Sequence, residues 1–260
     1  MASSMQRRES ILALAYQHGY VEVSRLSGDL KVSEATVRRD LHSLAQGGQL
    51  ELTHGGATVL RQSDHSFMSK ATRNTEAKRV VAQLASTMIE DGDLIFLDSG
   101  TTCFEMTRFL RGKRRLSVIV SSIRVAQELY APGIDVILLG GHYRPDRSDA
   151  VGPMASASLE RLRGYRTFFG SDGLAMDFGP ASIDIDSASL FGQAVANAKQ
   201  AVLVVDSSKF GSSTLYRIAK WNQVSTVVTD ARPDDAWIDF FNSQGIEVVT
   251  PQETVSELTE

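Results

Sequence analysis

The apolar positions of this chain follow two rhythms. Over residues 6–60 they recur at helical spacing. Arg7–His18 carries Ile11, Leu12, Leu14 and Ala15 on one face, and Gly19 follows as a helix stop. Val23, Leu26 and Leu30 mark a short second helix, and Lys31-Val32 a turn. Ser33 is placed to cap a third helix, in which Val37, Leu41 and Leu44 recur at i, i+4, i+7 as one stripe. Gly47-Gly48 ends that helix. Leu50 and Leu52 alternate with Gln49 and Glu51 as a strand, Gly55-Gly56 turns the chain, and Ala57–Leu60 returns beside it. Arg61–Thr75 is polar and aperiodic, so residues 59–75 are assigned to a linker, with Phe67 docked somewhere along it.

From Ala77 the rhythm changes to short apolar runs at Leu94–Leu97, Val118–Val120, Val136–Leu139, Thr167–Phe169, Val202–Val205, Thr226–Val228 and Glu247–Val249. Several are apolar on consecutive residues, as strands covered on both faces are. Helix-like segments alternate with them: Glu76–Ile89, Thr102–Leu110, Arg124–Leu129, Met154–Leu162, Ala188–Lys199 and Asp234–Asn242. This alternation predicts a mainly parallel α/β sheet over residues 76–260.

Composition narrows the class. At 42% apolar and 22% charged residues the chain is globular rather than disordered or fibrous. No run approaches the ~18 apolar residues of a membrane span, and Met1–Arg8 has no signal-peptide core. With Cys103 the only cysteine, no intrachain disulfide exists, which fits a cytoplasmic location. Net charge is −4, but unevenly distributed: residues 1–80 hold 11 Lys+Arg against 8 Asp+Glu, and the rest 16 against 23. Any polyanion contact is therefore expected in the N-terminal part.

Three short helices and a hairpin in about 55 residues outline a winged helix-turn-helix whose third helix enters the DNA major groove. With Val37, Leu41 and Leu44 inward, Ala35, Arg39 and His42 point outward, and Thr36, Arg38 and Ser43 lie on the flanks. Guanidinium groups read guanine or hold phosphate, and hydroxyls hold phosphate. Ser33, His54 and Gly55 complete the expected DNA-contacting set. Asp40 would repel phosphate and is assigned to an internal ion pair. A helical interaction module with a solvated arginine face would share this pattern, and residues 1–60 balance six basic against six acidic side chains. DNA binding would then gain from a homo-oligomer, a dimer or tetramer.

In the C-terminal part, Asp98-Ser99-Gly100-Thr101-Thr102 follows a strand and opens a helix, a place where amides, hydroxyls and the helix dipole favour an anion. It is neither a Walker loop nor G-x-G-x-x-G. Gly140-Gly141, Gly170 to Gly173 with Asp172, and Asp206-Ser207-Ser208-Lys209 end other strands. Ligands of parallel sheets bind outside those ends. Lys209 would neutralise phosphate, while Asp98 and Asp206 would accept sugar hydroxyls. Helix caps and a solvated lysine are the bland alternative.

The run Val32-Ser33-Glu34-Ala35-Thr36-Val37-Arg38-Arg39-Asp40-Leu41, with Gly47 and His54-Gly55-Gly56-Ala57, resembles the N-terminal signature of the DeoR family of bacterial sugar-metabolism regulators. Asp98–Thr102, Gly140-Gly141 with Arg144, Ser148 and Val151-Gly152-Pro153, Asp206–Gly211 and Thr229-Asp230 resemble its sensor domain, which is similar in fold to ribose-5-phosphate isomerase and CoA-transferase domains. The resemblance implies a transcriptional repressor of carbohydrate metabolism. Its effector would be a phosphorylated sugar or related phosphometabolite, bound by Asp98, Ser99, Gly100, Thr101, Thr102, Ser121, Gly140, Gly141, Arg144, Asp172, Asp206 and Lys209. The chain departs from the family at Ser121, where an asparagine is frequent, and at Ser187 and Phe191, where a glutamate and a lysine are frequent. Those polar groups are expected to face the ligand, with Asp184 and Asp186 nearby.

A sugar-phosphate isomerase is the enzymatic alternative, with Asp98, Asp206 and Lys209 as eligible proton-transfer groups. A DNA binder whose α/β domain only oligomerises is another. The attached DNA-binding pattern favours sensing over catalysis, and no cofactor is implied. His18, His42, His54, His65 and His142 are too scattered for a metal. Cys103 reads as a small buried hydrophobe rather than a thiol sensor.

Overall fold

The computed structural model describes residues 4–46, 49–59, 67–212 and 214–251. The Gly47-Gly48 helix stop, Leu60 and residues 61–66 of the expected linker lie outside them. The chain divides into two compact units, residues 1–75 and 76–260.

In the first unit, helix α1 (Ser4–His18) buries Ile11, Leu12 and Ala15 and ends where Gly19 turns left-handed, its amide donating to Ala15 O at 2.8 Å. Strand β1 (Tyr20–Glu22) follows, then α2 (Val23–Leu30), α3 (Glu34–Gln46), and the hairpin strands β2 (Leu50–Thr53) and β3 (Gly56–Val59). The turn before α3 closes as expected: Ser33 Oγ accepts the Thr36 amide at 3.3 Å and shares a 2.9 Å hydrogen bond with Thr36 Oγ1.

β1 has no counterpart in the apolar pattern. Three residues are too few to show alternation, and the strand exists because β3 pairs with it, Val21 opposite Ala57, in a sheet ordered β1-β3-β2. Gly56 permits this pairing, since a β-carbon there would lie 2.0 Å from Val21 O. Val37, Leu41, Leu44, Leu50 and Ala57 close the core with α1 and α2. Of the segment assigned to a linker, Phe67–Ala71 forms helix α4, which packs against α1 with Phe67 buried and Met68 against the core. Its five residues are too short to show a helical period.

The second unit runs α5 (Thr75–Thr87), β4 (Leu94–Leu97), α6 (Thr101–Leu110), β5 (Leu116–Val120), α7 (Ile123–Glu128), β6 (Ile134–Leu138), β7 (His142–Arg144), β8 (Asp149–Val151), α8 (Pro153–Glu160), β9 (Arg166–Phe169), β10 (Gly173–Ala175), β11 (Gly179–Ser182), α9 (Ile185–Asn197), β12 (Gln200–Val204), β13 (Tyr216–Arg217), β14 (Thr226–Val228), α10 (Asp235–Gln244) and β15 (Glu247–Val249). Seven strands make one sheet in the order β15-β14-β12-β9-β4-β5-β6, and every pairing is parallel. Phe96, Ile119, Phe169, Leu203 and Val227 face one apolar cluster; Ile95, Leu97, Val118, Phe168, Val202 and Val228 face the other. Covering on both faces is why these strands read as unbroken apolar runs.

The hairpin β7–β8 and the small antiparallel sheet β10-β11-β13 were absent from the expected pattern. Their strands have two to four residues each, below the length at which alternation is visible. Helix α9 also starts three residues earlier than expected, because Asp184 caps it by accepting the Ser187 amide at 2.8 Å. Among the described residues no helix is long and apolar enough to cross a membrane, and no group of three His, Cys, Asp or Glu is placed to hold a metal ion.

Candidate DNA interface and effector site

On α3 the stripe Val37, Leu41, Leu44 is buried, while Ala35, Arg38, Arg39 and His42 are exposed and Thr36 and Ser43 half-buried. The two arginines differ. Arg38 donates to Glu34 Oε2 at 3.0 Å, one helical turn back. Arg39 has no ion-pair partner among the described residues and extends from the same face as His42. Ser33 lies at the helix start. His54 and Gly55 are exposed at the wing tip, where Gly55 takes a left-handed backbone, φ +80°.

Asp40 is turned inward. It accepts Arg7 Nε at 2.6 Å and Arg8 Nε at 3.1 Å, tying α3 to α1. Burial opposes its ionisation, but the two guanidiniums outweigh that and hold its carboxyl below the usual carboxylate range. The carboxylate is thereby kept off the outward face of α3, and the helix is fixed at its mid-point.

In the second unit the sheet changes winding direction between β4 and β9. Strands β5 and β6 extend from one side of β4, while β9, β12, β14 and β15 extend from the other. Such a switch point opens a crevice at the carboxyl ends of the strands. Because the strands are parallel, Asp98–Thr102, Ser121, Gly140-Gly141, Asp172 and Asp206–Lys209 all leave the sheet at that end, and β7–β8 brings Arg144 to it through Asp149 and Ser99.

Within this set the structure separates groups with internal partners from groups without them. Asp98 is buried: Oδ1 accepts the Gly100 amide at 2.6 Å, and Oδ2 accepts the Gly170 amide. Burial raises its pKa against those two amides. Its oxygens thus hold the turn rather than stand open as hydroxyl acceptors. Cys103 packs beside it, 3.5 Å from Phe168 O, and burial pushes its thiol well up, so it is a core group. Gly100 is the N-cap of α6 and supplies no capping side chain, so the leading amides of that helix meet no side-chain acceptor among the described residues. Thr101 and Thr102 stand in the same first turn.

Arg144 is also engaged internally. Its Nε and Nη2 donate to Asp149 at 2.9 and 2.8 Å, and Nη1 donates to Asp184 at 2.7 Å. Ser99 Oγ donates to the same Asp149 at 2.9 Å. The network joins the β4–α6 turn, the β7–β8 hairpin and the α9 cap. Asp149, fully buried, was not among the expected residues, because the three-residue strand it opens carries no readable alternation. Asp172 similarly organises its own turn, accepting Ser182 Oγ and the Ile183 amide, each at 3.1 Å.

Ser187 and Phe191 occupy the positions at which polar groups were expected to face a ligand, but both are turned into the fold. Ser187 is buried and accepts Arg144 Nη2 at 3.1 Å, while Phe191 is buried edge-on to Phe96 in the core.

Three groups remain available. Ser121 Oγ is fully buried at the end of β5 with no hydrogen-bond partner among the described residues. The Lys209 ammonium has no ion-pair partner among them, although its amide closes the turn onto Asp206 O at 3.1 Å. The start of α6 is the third. Gly141 allows the chain to reach the hairpin at all, since a β-carbon there would meet Val151 O at 2.6 Å; at Gly140 the same atom would meet open space.

Residues 7–63 match the DeoR-like helix-turn-helix domain, and residues 73–231 match the DeoR C terminal sensor domain. The chain is 32% identical over 254 residues to the HTH-type transcriptional repressor CsqR of Escherichia coli (strain K12), with 95% of each chain covered. It is 32% identical over 232 residues to the lactose phosphotransferase system repressor of Lactococcus lactis subsp. lactis, covering 86% of this chain and 90% of that one. Among solved structures, a D-ribose-5-phosphate isomerase in complex with phospho-erythronic acid is similar with a TM-score of 0.40 and 15% identity, over 52% of this chain and 54% of that one. Both domain matches and near-full-length similarity to such repressors show that the chain belongs to the DeoR family of helix-turn-helix transcriptional regulators.

Proposed function

We propose that this protein is a repressor of a carbohydrate-metabolism operon, and that a phosphorylated sugar or similar phosphometabolite in the second unit controls its operator affinity. The observation that carries the effector reading is the start of α6. An N-terminus without a side-chain cap opens at the switch point of a parallel sheet, and Lys209 on the β12 turn at the same end has no ionic partner among the described residues. The α6 amides and the Thr101 and Thr102 hydroxyls would hold the phosphate, with Lys209 as counter-charge. Ser121 Oγ would meet a hydroxyl of the carbon chain. Asp98 and Arg144 would keep these groups in place. The lactose phosphotransferase system repressor among the relatives supports a carbohydrate-derived effector.

DNA reading falls to Arg39, with Thr36, Ser43 and His42 around it and His54-Gly55 at the backbone. Effector binding would change the spacing of recognition helices in a homo-oligomer and so mismatch paired half-sites.

A thermal-shift panel of phosphorylated sugars and polyols tests the effector reading, because a ligand bound only by the native state raises Tm. The expected result is a selective rise that Lys209→Ala removes while operator binding without effector persists. A panel with no shift, or a shift that Lys209→Ala leaves intact, refutes it.

A further inference from the structure

At the amino-terminal end of the seven-stranded sheet, opposite the effector site, lies a concentration of positive charge that neither site uses. Residues 76–260 hold 18 Lys+Arg against 24 Asp+Glu. Seven of those 18 cations fall in two short stretches without an acid: Arg111, Lys113, Arg114 and Arg115 lead into β5, and Arg161 and Arg163 lead into β9, which Arg166 opens. β5 and β9 are the two neighbours of β4, so at the usual inter-strand spacing the loops emerge about 10 Å apart.

Three of the seven have internal partners. Arg111 pairs with Glu128, Lys113 Nζ donates to Ile89 O, and Arg166 lies 3.6 Å from Asp93. The other four, Arg114, Arg115, Arg161 and Arg163, are exposed and make no ion pair or side-chain hydrogen bond among the described residues. The three acids before β4, Glu90, Asp91 and Asp93, make no ion pair with these four arginines among the described residues. Asp91 Oδ1 accepts the Arg114 amide at 3.0 Å, and Asp93 is engaged by the Glu90 amide and Arg166.

The backbone presents these side chains firmly. Arg114 O accepts the Gly92 amide at 3.0 Å, and Gly133 O accepts the Leu116 amide at 3.1 Å. Arg115 sits at φ +55°, in the left-handed region that a β-carbon disfavours. Glycine would relieve that strain, yet an arginine stands there; strain retained at an exposed charge points to use rather than packing.

We propose that this arginine rim is a second contact for the DNA phosphate backbone, made while the helix-turn-helix holds an operator. Exposed guanidinium forks suit phosphate oxygens, and with no accompanying base-reading element the contact is indifferent to sequence. Tethering through the same chain gives the rim a high local concentration of duplex once α3 is bound. The proposal rests on the DNA-binding reading of the first unit.

The test uses the intact protein and a duplex that it selects from a randomised pool, either trimmed to the selected site or extended on both sides. The combined variant carries Arg114→Gln, Arg115→Gly, Arg161→Gln and Arg163→Gln; glycine suits the left-handed position, so that change preserves the backbone. On the extended duplex the slope of log K against log salt should flatten by about 0.9 for each phosphate that is no longer neutralised, about 3 to 4 in all. On the trimmed duplex it should change less. An unchanged slope on the extended duplex overturns the proposal. An unchanged slope with a lower molar mass by light scattering overturns it too, and assigns the rim to a second copy's acidic surface. Should the combined variant melt early, Arg115→Gly and Arg163→Gln made singly each carry the same expectation at about 0.9 of slope. Arg39→Ala in the same assay separates the two readings. It should erase preference for the selected site over a shuffled one; if preference survives, the reading of α3 is at fault and not the rim.

Discussion

Asp98 at the end of β4 accepts the backbone amide of Gly170 at the end of β9, 72 residues away in sequence, and so pins together the two strands between which the sheet reverses its winding. The same carboxylate accepts Gly100 and sets the turn that starts α6. Asp98→Asn keeps the shape but turns one acceptor into a donor facing an amide. It should destabilise the second unit by about 1–3 kcal/mol, the cost of a buried group left unsatisfied, read as a lower Tm. Calorimetry should also show weaker effector binding, because the α6 amides lose their alignment.

Asp184 ties Arg144 and Arg147 to the start of α9. Burial opposes its charge, but Arg144, Ser187 and Arg147 prevail and hold its pKa at about 2, below the ordinary 3.8. A depressed carboxylate stabilises the fold above its unfolded pKa and loses that contribution as pH falls through the folded value. The contribution is about 2 kcal/mol. It should be complete above about pH 4 and vanish towards pH 2, so Asp184→Asn should flatten the acid limb of a stability–pH curve. An unaltered limb would place the Arg144 anchoring elsewhere.

Arg39 and Arg38 are adjacent on α3 but should behave differently in a binding assay. Arg39→Ala should cost about 1–3 kcal/mol of discrimination between operator and shuffled DNA, the value of one bidentate pairing with a base edge. Arg38, already paired with Glu34, should affect affinity for both duplexes alike. Equal loss of specificity from both would show that the helix is rotated in the groove.

Asp40→Ala should leave Arg7 and Arg8 without their buried partner. Truncating one side of such a cluster destabilises by about 3 kcal/mol, which urea unfolding of the intact protein would register as a lower midpoint for the first unit. Asp40→Asn, which can still accept one hydrogen bond, should lose less.

Gly140 and Gly141 offer a control within one dipeptide. Gly141→Ala drives a methyl group to 2.6 Å from Val151 O and should destabilise by about 1–3 kcal/mol, whereas Gly140→Ala points into open space and should be nearly neutral in thermal melts. Equal effects would mean that β6 and the hairpin are not held as closely as the geometry requires.

Much of the fold is legible along the chain because its forces are local and periodic. The Val37, Leu41, Leu44 stripe, the Ser33 cap and the inward role of Asp40 follow from about 100° of rotation per residue. The seven parallel strands follow from apolar runs that only two-sided burial explains. The motif at Asp98–Thr102 likewise marks where a strand meets a helix. Strand β1, helix α4 and the hairpin β7–β8 were not legible, because elements of three to five residues carry no period and exist through their partners.

Which polar groups near the strand ends are engaged internally and which are not was decided by tertiary structure. From sequence, Asp98, Arg144, Asp172 and Lys209 are alike: polar groups near strand ends. Folding brings Gly170 to Asp98 across 72 residues, and Asp149 to Ser99 across 50. It thereby engages Asp98 and Arg144 internally and leaves the Lys209 ammonium, Ser121 Oγ and the first α6 amides without side-chain partners among the described residues. Sequence by itself determined the longer elements, the family signature and the outward face of α3, since each depends on neighbours within a few residues. The division between scaffold and site depends on desolvation and on partners far away in the chain, and only the folded molecule specifies those.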